Sequence, residues 1–115
     1  MNDGTFEVAP DTYRTQVLGI MKTVLASNPK AEFILVSPML ANPFATQSKI
    51  QSKYKAELQK LTGKGVVLAD LTATHQELLK HKSYQDMTGN NVNHPNDYLV
   101  RWYAQVISAI LIKAD

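Results

Sequence analysis

The sequence predicts an α/β fold in which helices alternate with short parallel strands. Two observations carry this prediction. The predicted strands are residues 32–36, in which residues 33–36 are continuously apolar, and residues 66–69, which are apolar throughout, as is typical of parallel strands covered on both faces. The segment between them has helical periodicity, so strand, helix and strand form a βαβ unit within about forty residues. The chain of 115 residues is predicted to be a single domain that buries roughly two thirds of its unfolded surface.

The first predicted helix begins after Pro10, with Asp11 as its N-cap. Its apolar residues keep a helical spacing until Asn28 and Pro29 end it. These apolar residues are Tyr13, Val17, Met21, Val24 and Leu25. The first strand, residues 32–36, follows directly.

The second predicted helix lies between the two strands. Its apolar residues recur every three or four positions with lysines between them, so one face packs on the sheet and the other meets solvent. The apolar residues are Ile50, Tyr54, Leu58 and Leu61. Gly63 and Gly65 can end this helix before the strand over residues 66–69.

Two further helices and a long connection complete the chain. A short helix is predicted around residues 73–82, followed by a connection over residues 83–96 with few apolar anchors. Loops of that length in compact domains are usually functional or disordered, and ligands of open α/β sheets bind beyond the carboxyl ends of the strands. The connection is therefore the first candidate site. The final helix is predicted to pack on the sheet through Leu99, Trp102, Tyr103, Val106, Ile110 and Leu111.

The composition excludes several function classes. The chain has no cysteine, which rules out disulfides, thiolate catalysis and cysteine-based zinc sites. Its net charge of +2 is too small to predict a nucleic-acid or membrane partner, and no apolar run approaches the roughly 20 residues of a membrane span. His75 and His81 do not have the spacing that places two ligands on one helical face, so both are predicted on the surface. No metal or cofactor is expected.

His94 is the candidate chemical group of the long connection. Pro95 followed by Asn96 or Asp97 predicts a stiff start and a cap for the last helix, which would hold His94 on a defined backbone. An imidazole can serve as a general base near neutral pH. The same residues also fit a surface histidine in a helix cap, and the residues alone leave both interpretations open.

Two sequence blocks resemble a known family. The stretch "GNNVNHPND" followed by "YLVRWYAQVI" resembles the C-terminal motif block of the SGNH, or GDSL-type, hydrolases. The opening "MNDGTFEVAPDTYR" resembles that family's Gly-x-Asn-Asp block without its glycine, leaving Met1, Asn2 and Asp3. The two blocks occur in the family's order, and the predicted strands fall where its later parallel strands lie. The resemblance covers essentially the whole chain.

The resemblance implies a three-layer, flavodoxin-like parallel sheet with helices on both faces, here incomplete because the first strands are missing. It also implies a serine esterase acting on a small acyl or carbohydrate acetyl ester. His94 would take the proton of the serine hydroxyl, and the Asn2 amide would donate into the oxyanion hole. The family's serine lies in a Gly-Asp-Ser block that this chain does not contain. We therefore expect a C-terminal portion that begins at an internal Met and is inactive alone.

This chain departs from the family pattern at the position of the residue that orients the histidine. The family places an Asp three residues before the histidine, where this chain has Asn91, which cannot supply a negative charge. Asp86, Asp97 or a main-chain carbonyl could take that role, and Asp86 ranks slightly first. Asp97 fits a helix cap better, and Asp86 also fits an Asx-type turn.

Three other residues have structural interpretations. Ser37 follows the first strand but lacks the glycine-flanked turn that exposes a nucleophile, so it fits a turn serine. Asp70 at the second strand end is expected to form a turn. Gly4 would help the backbone turn at the oxyanion loop if the resemblance holds.

The alternative hypothesis is a non-catalytic module that binds a partner or another copy of itself. A sheet without its first strands would expose unpaired N–H and C=O groups along residues 32–36. We therefore expect association between copies through the sheet edge.

Overall fold

Two parallel strands and the helices around them make up residues 2–112, the part of the chain that the computed structural model describes. This arrangement confirms the predicted α/β class. In chain order the elements are α1 (Asn2–Thr5), α2 (Pro10–Ser27), β1 (Phe33–Val36), α3 (Ser48–Gln51), α4 (Tyr54–Gln59), β2 (Val66–Ala69), α5 (Leu71–Leu78), α6 (Tyr84–Met87) and α7 (Asp97–Leu111).

One face of the sheet forms the first hydrophobic core. β1 and β2 pair in parallel, with Phe33 opposite Val66 and Leu35 opposite Leu68. Alternate residues of a strand share a face, so these four side chains point to the same side. The buried centre of this core is Met21 of α2, Leu35 of β1 and Leu58 of α4. The helices before and after β1 therefore cover this face.

The opposite face of the sheet is partly open. Val67 is 43% exposed, although Ala69 on the same face is buried. An open groove of about 450 Å³ lies here, between the sheet and the end of α7. The prediction that both strands are covered on both faces is therefore wrong at Val67, because this groove leaves its side chain open. The groove is lined by Glu32, Phe33, Ile34, Gly65, Val67, Ile110 and Leu111.

Two predicted helix details are corrected. α2 begins at Pro10 with Ala9 as its N-cap and no side-chain cap, so the predicted N-cap role of Asp11 is wrong. Proline already fits the first helical position because it lacks an N–H and has a preset φ. The predicted helix between the strands is two short helices, α3 and α4, separated by Ser52 and Lys53.

α5 starts directly after β2. The Asp70 side chain accepts a hydrogen bond from the Ala73 N–H at 2.9 Å and is the N-cap of this helix. The helix therefore begins before the predicted residue 73, and it ends at Leu78 rather than residue 82. Burial raises the pKa of Asp70, but hydrogen bonds from Lys55, Ala73 and Ser37 outweigh it and lower that pKa. A charged cap is favourable at a helix N-terminus.

A second hydrophobic core lies beyond the carboxyl end of the sheet. Met39, Met87 and Leu99 are fully buried there. The Met39 N–H donates to the Tyr103 hydroxyl at 3.0 Å, which joins the segment after β1 to α7. This core supports the residues that follow α6. Within residues 2–112, no helix combines the length and apolar character needed to cross a membrane.

Candidate functional site

The predicted long connection folds into a helix and a closed loop. Its first part is α6, so the expectation of a structureless segment is wrong there. After α6 the chain closes through two backbone hydrogen bonds, from the Gly89 N–H to the His94 carbonyl at 2.9 Å and from the Asn96 N–H to the Met87 carbonyl at 3.0 Å. We call residues 88–96 the histidine loop. Its two ends are fixed against each other, and Met87 anchors it in the second core.

Asn96 and Asp97 are the two residues predicted to cap α7, and Asn96 is its N-cap. Its side-chain oxygen accepts from the N–H groups of Tyr98 at 3.0 Å and Leu99 at 3.3 Å. Its amide nitrogen donates to the Asp86 carbonyl at 2.9 Å. Asp97 lies exposed in the first turn of the helix. One asparagine therefore starts α7 and ties it to α6.

His94 is exposed, and its ring contacts Asn90. Asn90 Nδ2 lies 2.5 Å from His94 Nδ1. The other atom of the same amide, Asn90 Oδ1, accepts from the N–H groups of Val92, Asn93 and His94 at 2.9 to 3.0 Å. A single side chain thus shapes the loop backbone and contacts the imidazole.

Asp86, the first-ranked candidate to orient His94, has its carboxylate bonded elsewhere. It forms a capping box with Ser83, in which Asp86 Oδ2 accepts from the Ser83 N–H and from the Ser83 hydroxyl, both at 2.8 Å. These bonds to Ser83 lower the pKa of Asp86. The structure therefore gives Asp86 a helix-capping role at the start of α6.

Asn91, at the position of the family's Asp, contacts Asn42 through both its carbonyl and its side chain. Its φ of 54° is in the left-handed region, which asparagine tolerates better than most residues. Its carbonyl accepts from Asn42 Nδ2 at 3.0 Å. The Asn42 N–H also donates to the Val92 carbonyl at 2.9 Å, so Asn42 attaches the loop to the segment after β1.

The N-terminal block packs against α3. Asn2 is exposed and begins α1, whereas Met1 lies outside the described residues. Gly4 is buried, and a Cβ added to it would lie 2.8 Å from Gln51 Oε1. This close approach explains why a glycine stands there. The Tyr54 hydroxyl donates to the Val8 carbonyl at 2.8 Å and holds the following segment in place.

Gln51 joins the two blocks that the sequence singled out. Its amide nitrogen donates to the Met39 carbonyl at 2.7 Å, just beyond the end of β1. Its oxygen accepts from Asn93 Nδ2 at 3.2 Å, on the side chain preceding His94. Gly4 lies against the same oxygen. The segments that carry Asn2 and His94 therefore meet at one buried amide at the carboxyl end of the sheet.

Ser37 is fully buried at the end of β1. Its hydroxyl accepts from the Thr72 N–H at 3.0 Å and lies 3.3 Å from Asp70 Oδ1. It therefore links the end of β1 to the start of α5, and a bound ester could not reach it without local opening. This placement agrees with the interpretation of Ser37 as a structural serine.

His75 is fully buried in α5, so its predicted surface location is wrong. Its Nδ1 accepts from the Leu40 N–H at 3.0 Å, and its ring packs edge to face with Tyr84 at 5.4 Å between centroids. Burial lowers the pKa of His75 to about 4. His81 is exposed as predicted.

The described residues contain no group of three or more His, Asp or Glu side chains that could hold a metal ion. Comparison with known proteins finds no matching family model, no matching curated protein and no matching solved structure. The site is therefore interpreted from its own geometry.

Proposed function

We propose that the chain is the C-terminal portion of a serine carboxylic-ester hydrolase of the SGNH type. The observation that supports this proposal is the meeting of the Asn2 segment and the His94 segment at Gln51. These segments lie beyond the carboxyl end of a parallel sheet, where α/β proteins bind ligands. The two-stranded sheet would be the last part of a larger flavodoxin-like sheet.

In this proposal the chain supplies two of the groups that acyl transfer needs. A serine from the missing part attacks the ester carbonyl, and His94 takes its proton and returns it to the leaving alcohol. The Asn2 amide donates to the oxygen that gains negative charge in the transition state. The proposed substrate is a small acyl ester, with an acetylated carbohydrate as the favoured class. The lone chain is expected to be inactive.

The test begins with the genomic DNA ahead of Met1, which should encode an in-frame Gly-Asp-Ser block. The protein extended by that segment should hydrolyse a chromogenic acetate ester, and a fluorophosphonate probe should label its serine. His94→Ala should remove turnover, and His81→Ala, a change of the exposed histidine, should not. Asn2→Ala should lower kcat by roughly a hundredfold or more, the typical loss for one oxyanion donor.

Two results would reject the esterase proposal. One is an upstream sequence with no Gly-Asp-Ser block. The other is ester turnover by the 115-residue chain that survives His94→Ala, because the proposal gives the lone chain no nucleophile.

A second candidate function is self-association of a non-catalytic module. It is favoured by the sheet, because among residues 2–112 β1 pairs with β2 alone, whereas Val66 of β2 also pairs with Gly63. The outer edge of β1 can bond to a strand of another chain, and a second copy carries the same edge. The groove beside Val67 lies on this sheet, and Leu111 next to it is 71% exposed.

Light scattering at rising concentration tests this association. Dimers or larger species are expected, and Leu111→Lys should weaken them because it places a charge beside the groove. Ala109→Lys adds the same charge on an exposed residue of α7 that does not line the groove, and it should have less effect. A monodisperse monomer at high concentration would count against self-association.

A further inference from the structure

Only one of the two orientations of the Asn90 side-chain amide keeps its hydrogen bonds to the loop backbone. Its Oδ1 accepts from three consecutive N–H groups, those of residues 92 to 94. Turning the amide over would place an NH₂ group against these three donors. The histidine loop therefore fixes Asn90 Nδ2, which can donate but not accept, toward the ring at 2.5 Å.

This orientation determines which ring nitrogen of neutral His94 carries the proton. Two donors cannot share a hydrogen bond, so Nδ1 must offer its lone pair to Asn90 Nδ2. The proton of the neutral imidazole then lies on Nε2. A general base that works through Nε2 needs the opposite tautomer, and an acceptor beside Nδ1 normally enforces it.

We propose that Asn90 is a positioning residue that holds His94 in the Nε2–H tautomer. In this tautomer Nε2 carries the proton and cannot accept one, so the esterase proposal requires the contact between Asn90 and His94 to change when the rest of the protein is present. The catalytic meaning of this inference rests on the proposed esterase function, whereas the tautomer itself does not. The family pattern places the group that orients the histidine at residue 91 instead, but the side chain of Asn91 contacts Asn42.

Asn90→Asp provides a nearly isosteric test. The new carboxylate keeps one oxygen for the three backbone N–H groups and places its second oxygen against Nδ1 of His94. The substitution should move the proton to Nδ1 and leave Nε2 free to accept. Asn91→Asp is the matched control, because it adds the same charge at the next residue without the ring contact.

The measurement is long-range ¹H–¹⁵N correlation NMR of the 115-residue chain at a pH where its exposed histidines are neutral. His81 serves as the internal reference for a free tautomer mixture, and His81→Gln assigns its signals. In the unsubstituted chain, His94 should be more fully Nε2–H than His81. Asn90→Asp should switch it to Nδ1–H, and Asn91→Asp should leave it unchanged.

Two outcomes would overturn the inference. One is a His94 tautomer mixture equal to that of His81 in the unsubstituted chain, a comparison that needs no variant to fold. The other is a folded Asn90→Asp protein with an unchanged tautomer. Neither depends on ester turnover, so failure of the esterase proposal would be seen separately, in the absence of a Gly-Asp-Ser block or of His94-dependent activity.

Discussion

The side chains of Asn93 and Gln51 form a buried hydrogen bond, in which Asn93 Nδ2 donates to Gln51 Oε1 at 3.2 Å. The amide nitrogen of Gln51 in turn donates to the Met39 carbonyl. Buried amides are almost always paired, because an unpaired one loses its bonds to water without replacement. This bond therefore fixes the position of the histidine loop relative to α3.

Gln51→Met should destabilise the fold by about 2 to 3 kcal/mol. Methionine is of similar size, but it leaves Asn93 Nδ2 and the Met39 carbonyl without their partner, and each buried orphan costs about 1 to 3 kcal/mol. Urea unfolding followed by circular dichroism measures the loss. Gln59→Met is the control, because Gln59 is exposed, and it should change the unfolding free energy by less than about 0.5 kcal/mol. Equal effects of the two changes would contradict the role given to Gln51.

Two glycine substitutions should have opposite effects. Gly4→Ala places a Cβ 2.8 Å from Gln51 Oε1, so either α1 or Gln51 must shift. We expect a loss of about 1 to 3 kcal/mol, as for other overpacked sites. Gly19→Ala lies in the middle of α2 with nothing within 4 Å of the new Cβ. It should stabilise the protein by about 0.5 to 1 kcal/mol, because glycine weakens helix interiors. Thermal unfolding measures the stability of both variants. A Gly4→Ala protein as stable as the unsubstituted chain would contradict the close contact with Gln51.

Sequence reasoning found the features that depend on local periodicity. The continuous apolar run at Phe33–Val36 and the helical spacing of α2 required no knowledge of the tertiary contacts. The break between α3 and α4 was missed because the apolar positions continue through it with helical spacing. The burial of His75 was missed for a related reason: its spacing from His81 was informative about metal ligands and said nothing about which face of α5 packs inward.

The candidate site was predictable in part. Asn96 could be named as a cap because capping depends on neighbours within one helical turn. Gln51 and Asn90 could not be assigned roles in the same way. Gln51 acts across the fold, on Asn93 and Met39, and the pairing of distant amides leaves no periodic signal in a single sequence. Asn90 belongs to an asparagine-rich loop, and asparagine side chains often bond to nearby backbone groups. The composition of the loop does not show which of its asparagines contacts His94.

Asn96→Ala should cost about 1 to 2 kcal/mol of stability, because the change removes the acceptor of two N–H groups at the start of α7 and the donor to the Asp86 carbonyl. Asp97→Ala, next to it and exposed, should cost less, because Asp97 is in the first turn and not at the cap. Amide hydrogen exchange in the first turn of α7 should rise more in Asn96→Ala than in Asp97→Ala. The reverse order would mean that Asp97 caps the helix in solution.

The burial of His75 predicts that stability falls in mild acid. Its pKa is about 4 in the folded protein, against an ordinary value of 6.5 in the unfolded chain. Well above pH 6.5 the ring is neutral in both states and contributes no pH dependence. As the pH falls through 6.5 toward 4 the unfolded state binds the proton first, so the unfolding free energy decreases over this interval. The largest loss from this group is about 3 kcal/mol.

Urea unfolding between about pH 7 and pH 4.5 measures this dependence. His75→Asn keeps an acceptor near the position of Nδ1 for the Leu40 N–H but cannot take up the proton. The variant should be less stable than the unsubstituted chain at neutral pH, since it leaves a cavity beside Tyr84, and it should lose less stability on acidification. His81→Asn changes an exposed histidine and should keep the original pH dependence. If His75→Asn loses as much stability as the unsubstituted chain over this range, His75 is not the group that makes the fold acid-sensitive.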